Sequence, residues 1–241
     1  MGGSRIKEVL TALVFIVLLA MLVFSGIKVY NAYTYEGPIV DTGLYPVRGI
    51  DISRHNGKVD FKKVKDAGME FVFIKASEGV THTDSLFARN IDEARLAGLK
   101  TGAYHFFRFD KDGVDQALNF LHVLGGRQPE LGLVVDVEQA GNPAEEAKEV
   151  KRRLSSMVEY LNLMGYRVTL YSNLDGYHDY LKEDFSEYPL WICRFKDNPI
   201  DGEWTFWQYD HHGRVDGVKG EVDMNTFNGT REEWDAFLVS S

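Results

Sequence analysis

A regular alternation governs the chain from Arg48 to Phe227. Five strand-like runs, at 48–53, 70–76, 100–107, 131–137 and 166–171, are separated by helix-like stretches at 60–67, 84–96, 113–124 and 143–163. Spacing makes the helices legible: Leu86, Phe87, Ile91 and Ala94 share one face, and Gly98 stands just past the end. The run 131–137 is apolar on both faces, as a buried parallel strand is. Strands joined through helices lie parallel in one sheet. After a short helical stretch near 177–181 the pattern changes. Runs at 189–195, 205–209 and 222–227 read as strands, with too little chain between them for a crossover helix. Eight strands in about 190 residues predict a closed α/β barrel, which ordinarily takes about 250. The missing helices account for the shortfall. A doubly wound open sheet usually carries a glycine-rich phosphate turn, and this sequence has none.

A barrel of this kind places its chemistry at the C-terminal ends of its strands. Those ends carry Asp51, Lys75, Tyr104 with His105, Asp136 with Glu138, Tyr171, Trp191 and Gln208, and the last strand opens with Asp223. Taken singly, each has an ordinary structural explanation: a helix cap or turn for an Asp, core packing for an aromatic, a satisfied buried group for His105. Asp136-Val137-Glu138 resists that explanation. Residues two apart on a strand project to one face, so two carboxylates leave an apolar segment together. Crowded acids raise at least one pKa, and glycoside hydrolysis needs one protonated carboxyl beside one ionised one. Clustered acids also suit a divalent ion, with Asp51 and Asp223 at hand, but no second His at ligand spacing supports zinc.

The N-terminus is a separate object. No charged residue occurs from Val9 to Ile27, a run of 19 residues, which matches a bilayer's hydrocarbon core. The run has no polar face and exceeds the apolar region of a signal peptide, and no clear Ala-x-Ala site follows. It predicts an uncleaved transmembrane anchor at 9–27, a cytoplasmic segment at 1–8, a tether at 28–46 and an extracytoplasmic domain at 47–241. A secreted protein after signal cleavage is the competing expectation. Arg5 and Lys7 precede the span and Lys28 follows it, a weak charge bias for that orientation. The anchor and tether are charge-neutral, so the net −9 belongs to the domain. That acidity argues against nucleic acid as a partner. One cysteine, Cys193, excludes an intrachain disulfide framework.

Seven blocks in order carry a resemblance. Gly49-Ile50-Asp51-Ile52-Ser53, Phe73-Ile74-Lys75-Ala76-Ser77-Glu78-Gly79, Gly102-Ala103-Tyr104-His105-Phe106, Asp136-Val137-Glu138, Leu190-Trp191-Ile192, Trp207-Gln208-Tyr209 and Val222-Asp223-Met224-Asn225 resemble glycoside hydrolase family 25, the Chalaropsis-type lysozymes. The resemblance implies a flattened TIM-like barrel, with five βα units followed by three strands lacking crossover helices. It implies a muramidase cutting the β-1,4 bond after N-acetylmuramic acid in peptidoglycan, with no cofactor and no metal.

Residue by residue, the resemblance makes Glu138 the general acid. Asp136 holds up the pKa of Glu138 and stabilises charge at the sugar, and Asp51 and Asp223 assist or position. Lys75, Tyr104, His105, Tyr171, Trp191 and Gln208 are implied to bind substrate, the aromatics by stacking on sugar faces. A covalent glycosyl-enzyme and participation of the substrate's N-acetyl group both remain compatible with it. Cys193-Arg194-Phe195 stands where the family more often has Ala and Tyr, a departure that bears on substrate preference. No wall-binding repeats follow Phe227, so targeting is expected to come from the anchor. The competing function classes are an inactive glycan-holding module on the same barrel, and a metal-dependent deacetylase or nuclease. Binding alone has no use for a like-charge pair, which favours the hydrolase.

Overall fold

The computed structural model describes residues 2–34, 38, 40–196 and 199–239, and within the N-terminal helix the side chains of 7–26. Two units result, 1–37 and 38–241. The first is a helix, α1 (Gly2–Thr34), whose segment Lys7–Gly26 is long and apolar enough to cross a membrane, with a mean hydropathy of 2.8. Apolar side chains emerge all round it, as lipid requires and a soluble amphipathic helix does not. The side chains of Arg5 and Lys28, and residues 35–37 and 39 of the expected tether, lie outside the described residues.

In the second unit eight strands close a barrel: β1 (Arg48–Ile52), β2 (Phe71–Glu78), β3 (Lys100–Phe106), β4 (Leu133–Asp136), β5 (Val168–Asn173), β6 (Leu190–Cys193), β7 (Phe206–Gly213) and β8 (Val222–Phe227). Strands β1 to β7 pair in parallel, and β8 runs antiparallel to both β7 and β1, closing the ring. Helices α2 (Phe61–Asp66), α3 (Phe87–Leu96), α4 (Gly113–Leu124) and α5 (Ala147–Leu163) fill the first four crossovers. The fifth holds only a short helical stretch, Leu174–Gly176 continued by Tyr177–Leu181. A two-residue strand, His82–Thr83, folds back on the end of β2.

Strand alternation sorts the side chains into two cores. Outward residues such as Ile50, Val72, Ile74, Val135 and Ile192 pack under the helices. Inward residues Phe71, Phe73, Val134, Tyr171, Trp191, Phe206 and Phe227 fill the barrel. Room for these rings comes from Gly49 and Gly102, where an added Cβ would sit 2.4 Å from the Phe71 ring and 2.3 Å from that of Phe73.

A C-terminal helix, α6 (Arg231–Val239), absent from the sequence reading, brings Trp234 to this inner cluster beside the N-terminal ends of the strands. Thr230 and Glu233 hold its start reciprocally: the Thr230 amide donates to the Glu233 carboxylate, and the Glu233 amide to the Thr230 hydroxyl. Arg167 fastens its far end, lying over the Phe237 ring and donating to the Phe237 carbonyl. Two boundaries also shift. Asp84 accepts from the amides of Arg54 and Leu86 and forms a turn, so α3 starts at Phe87. The chain from Pro143 has no regular structure until α5 begins at Ala147.

Candidate active site

The inward positions nearest the C-terminal strand ends are polar. Asp51 on β1, Asp136 on β4 and Asp223 at the start of β8 project there, and Glu138 follows two residues beyond Asp136. Their mutual influence shows how closely they gather. Asp136 feels Glu138, Lys75, Asp51 and Glu78; Asp223 feels Asp51, Asp210 and Glu138.

Asp51 is the most tightly held. Its Oδ2 accepts from Gln208 Nε2 at 2.7 Å and from Asn225 Nδ2 at 2.8 Å. Each amide is itself oriented by an aromatic donor. The Tyr171 hydroxyl donates to Gln208 Oε1 at 2.9 Å, and Trp191 Nε1 donates to Asn225 Oδ1 at 2.8 Å. A hydroxyl or indole N–H engages the oxygen end of an amide, which turns both NH2 groups toward Asp51. Burial raises the Asp51 carboxyl to about 6, even though both amides favour its ionised form.

Burial, aided by the charge of Asp51, pushes Asp223 up to about 8. Asp136 lies well above the ordinary carboxylate range, first through burial and then through Glu138. Its Oδ1 is buried with no hydrogen-bond partner among the described residues. Glu138, half-buried, is raised by burial, held back by Lys75 and pushed further by Asp51. Asp136 is the more deeply buried of the two, and Glu138 owes its own rise first to burial and then to Asp51.

Five residues expected to touch substrate are otherwise engaged. His105 cannot share the inner face with its neighbour Tyr104. It is fully buried on the outer face, with Nδ1 2.8 Å from Ser77 Oγ and Nε2 3.2 Å from Gln116 Oε1, and burial lowers its pKa to about 4. Trp191, 2% exposed, has one face stacked on Phe73 at 4.4 Å and meets Tyr171 edge-on, leaving no face for a sugar. Gln208 and Tyr171 are buried in the network that orients Asp51. Lys75 donates to Glu78 at 2.9 Å and sits over the Phe106 ring, acting on the carboxyls through its charge. Tyr104 keeps part of its surface at the rim.

Asn225, Glu78 and Asp210 act on these carboxyls, and none of them was among the expected site residues. Asn225 stands in a quoted block, but only the fold shows that it bridges Asp51 and Trp191. Two clefts of about 740 and 800 Å³ lie elsewhere, one lined by Leu170, Phe185, Leu190 and Trp204 and the other between α2 and α3, and neither includes a rim carboxyl. Among the described residues no group of three or more His, Cys, Asp or Glu side chains is arranged to hold a metal ion.

The sequence profile of the glycosyl hydrolases family 25 matches residues 50–218, which span β1 through most of the domain. The chain belongs to that family. A family 25 glycosyl hydrolase from Bacillus anthracis superposes with a TM-score of 0.77 at 32% identity, over 84% of this chain and 97% of the other. Lysozyme M1 of Streptomyces globisporus is 33% identical over 80% of this chain and 71% of its own length. An uncharacterised protein, YegX of Escherichia coli K12, is 37% identical over 89% of this chain and 80% of its own length. Family 25 membership accounts for the barrel's departure from eight full βα units, since the solved relative shares it over nearly its whole length.

Proposed function

We propose that this protein is a muramidase: a glycoside hydrolase that cleaves the β-1,4 bond between N-acetylmuramic acid and N-acetylglucosamine in peptidoglycan, leaving N-acetylmuramic acid at the new reducing end. The observation that carries this reading is the pair Asp136 and Glu138, two acids on one face whose buried setting raises both. Relatives named as lysozymes supply the substrate class.

Glu138, kept protonated by burial, donates its proton to the leaving glycosidic oxygen as the C1–O bond breaks. Asp136 acts in its ionised form, its own proton released to water as positive charge grows at the sugar, and its Oδ1, with no hydrogen-bond partner among the described residues, faces that charge or orients the N-acetyl group. Asp51, held by two amides that favour its ionised form, keeps the rim negative toward an oxocarbenium-like transition state, with a protonated Asp223 opposite it. Tyr104 offers its exposed edge to the sugar. An inactive binding module would gain nothing from burying acids that repel one another.

The apolar segment within α1 supports a second part of this reading, that the enzyme is held at a membrane with its barrel on the extracytoplasmic side. Mass spectrometry of peptidoglycan digested with the full chain tests the specificity. Fragments ending in reducing N-acetylmuramic acid are expected; reducing N-acetylglucosamine would make it a glucosaminidase, and intact polymer would leave a binding module.

A further inference from the structure

Glu138 lies beyond the last hydrogen-bonded residue of β4, and its carboxyl receives no hydrogen bond from any described residue. The backbone that carries that carboxyl therefore sets where it stands. Side chains hold the turn, 138–142: Gln139 donates to Asp179 Oδ2 at 2.7 Å, and Asn142 makes the contact that reaches Glu138 itself. Asn142 Nδ2 donates to the Glu138 carbonyl at 2.9 Å and to the Phe107 carbonyl at 2.9 Å, while its Oδ1 accepts from the Phe109 amide at 3.0 Å. Arg108 adds a further fastening, from its guanidinium to the Gly141 carbonyl, and its own amide is anchored on Gln116 of α4 at 2.7 Å. Asn142 thus uses both donors and its acceptor to tie the acid's turn to the chain leaving β3.

We propose that Asn142 is a positioning residue for hydrolysis, clamping the turn so that Glu138 delivers its proton to the leaving oxygen. The inference rests on the reading of Glu138 as general acid. Placement matters because small displacements of a catalytic group cost much of its rate contribution. A residue that acts only through the acid has a signature that a merely structural one lacks. It should matter for a sugar leaving group, which needs a proton, and little for an aryloxide, which departs without one.

The test compares Asn142→Ala with wild type, as full chains in detergent, on solubilised peptidoglycan and on a 4-nitrophenyl glycoside of an oligosaccharide ending in N-acetylmuramic acid. On peptidoglycan kcat should fall about 10–100-fold with KM within about threefold, while the aryl glycoside loses less than about threefold. Adding Asn142→Ala to Glu138→Gln should cost nothing further on peptidoglycan. Equal losses on both substrates, an undiminished kcat, or a full additional loss in the double variant would overturn the proposal. If circular dichroism shows Asn142→Ala unfolded, Asn142→Ser is read by the same ratio, and unfolding of both overturns it too. A Glu138→Gln enzyme as fast as wild type on peptidoglycan would instead sink the parent reading, whatever Asn142 does.

Discussion

Asp51 of β1 and Asp223 of β8 are direct partners across an antiparallel pair, so two acids face each other on the inner wall of the barrel. Burial keeps protons on both, and for Asp223 the charge of Asp51 adds to it: the carboxyls reach about 6 and about 8. In the unfolded chain both ionise near 4. Between pH 4 and 8 the folded state binds more protons, so stability falls as pH rises across that window and then levels off.

Asp223→Asn escapes this penalty. The variant should be more stable than wild type by about 1–2 kcal/mol at pH 8, with the difference vanishing near pH 4. Urea denaturation at several pH values measures it, and a pH-independent difference would show that the fold does not hold Asp223 protonated.

Glu138→Gln keeps shape and volume but cannot release a proton. Activity on peptidoglycan should fall about 10²–10⁴-fold with the melting temperature unchanged or higher, since a repelled acid is gone. Asp136→Asn should fall less. Asn mimics the protonated form that burial favours in the free enzyme, so its loss reports only the stage at which Asp136 must ionise. An unfolded Glu138→Gln protein would mark Glu138 as structural.

Lys75 favours the ionised forms of both Glu138 and Asp136. Lys75→Met removes that pull, raises both carboxyls, and keeps the acid protonated to higher pH. The alkaline limb of the kcat/KM profile should therefore move upward, and on the order of half a pH unit is readily resolved. A profile that stays in place, with KM alone increased, would return Lys75 to substrate binding.

Trp234 of α6 packs against Phe71, Phe206 and Phe227. Trp234→Ala should cost about 3–5 kcal/mol, as other large buried aromatics do. Thermal melts measure it. A shift of only a degree or two would mean that the helix is dispensable to the barrel.

The anchor makes its own prediction. The full chain should stay with membranes through high salt and alkaline wash, and a chain lacking residues 1–27 should not. Release of the wild-type enzyme as a shortened soluble form would identify a cleaved leader instead.

Sequence pattern was enough for the βα alternation and the missing late helices, because periodicity of 2 or 3.6 is a local property. It also contained a contradiction: adjacent Tyr104 and His105 cannot both face inward on a strand, so one of the two had to leave the site. Helix α6 was legible too, in the Thr230–Glu233 pairing at its start. Other facts are purely tertiary. Nothing local reveals that Phe73 covers Trp191, or that Gln208 and Asn225 converge on Asp51 from 157 and 174 residues away. Asn142 is an ordinary turn residue until the fold brings Phe107 and Phe109 beside it.

The reversal of β8 has a practical consequence for anyone extending this protein. Because the last strand runs against the other seven, the chain leaves the barrel at the end away from the acids, where the Thr226 hydroxyl meets the Val47 carbonyl. A reporter or affinity module joined after α6 would hang behind the barrel and leave the carboxylate rim open to long polymer. The same module spliced into the bend between Gly213 and Val222 would sit on the side of the acids and obstruct them.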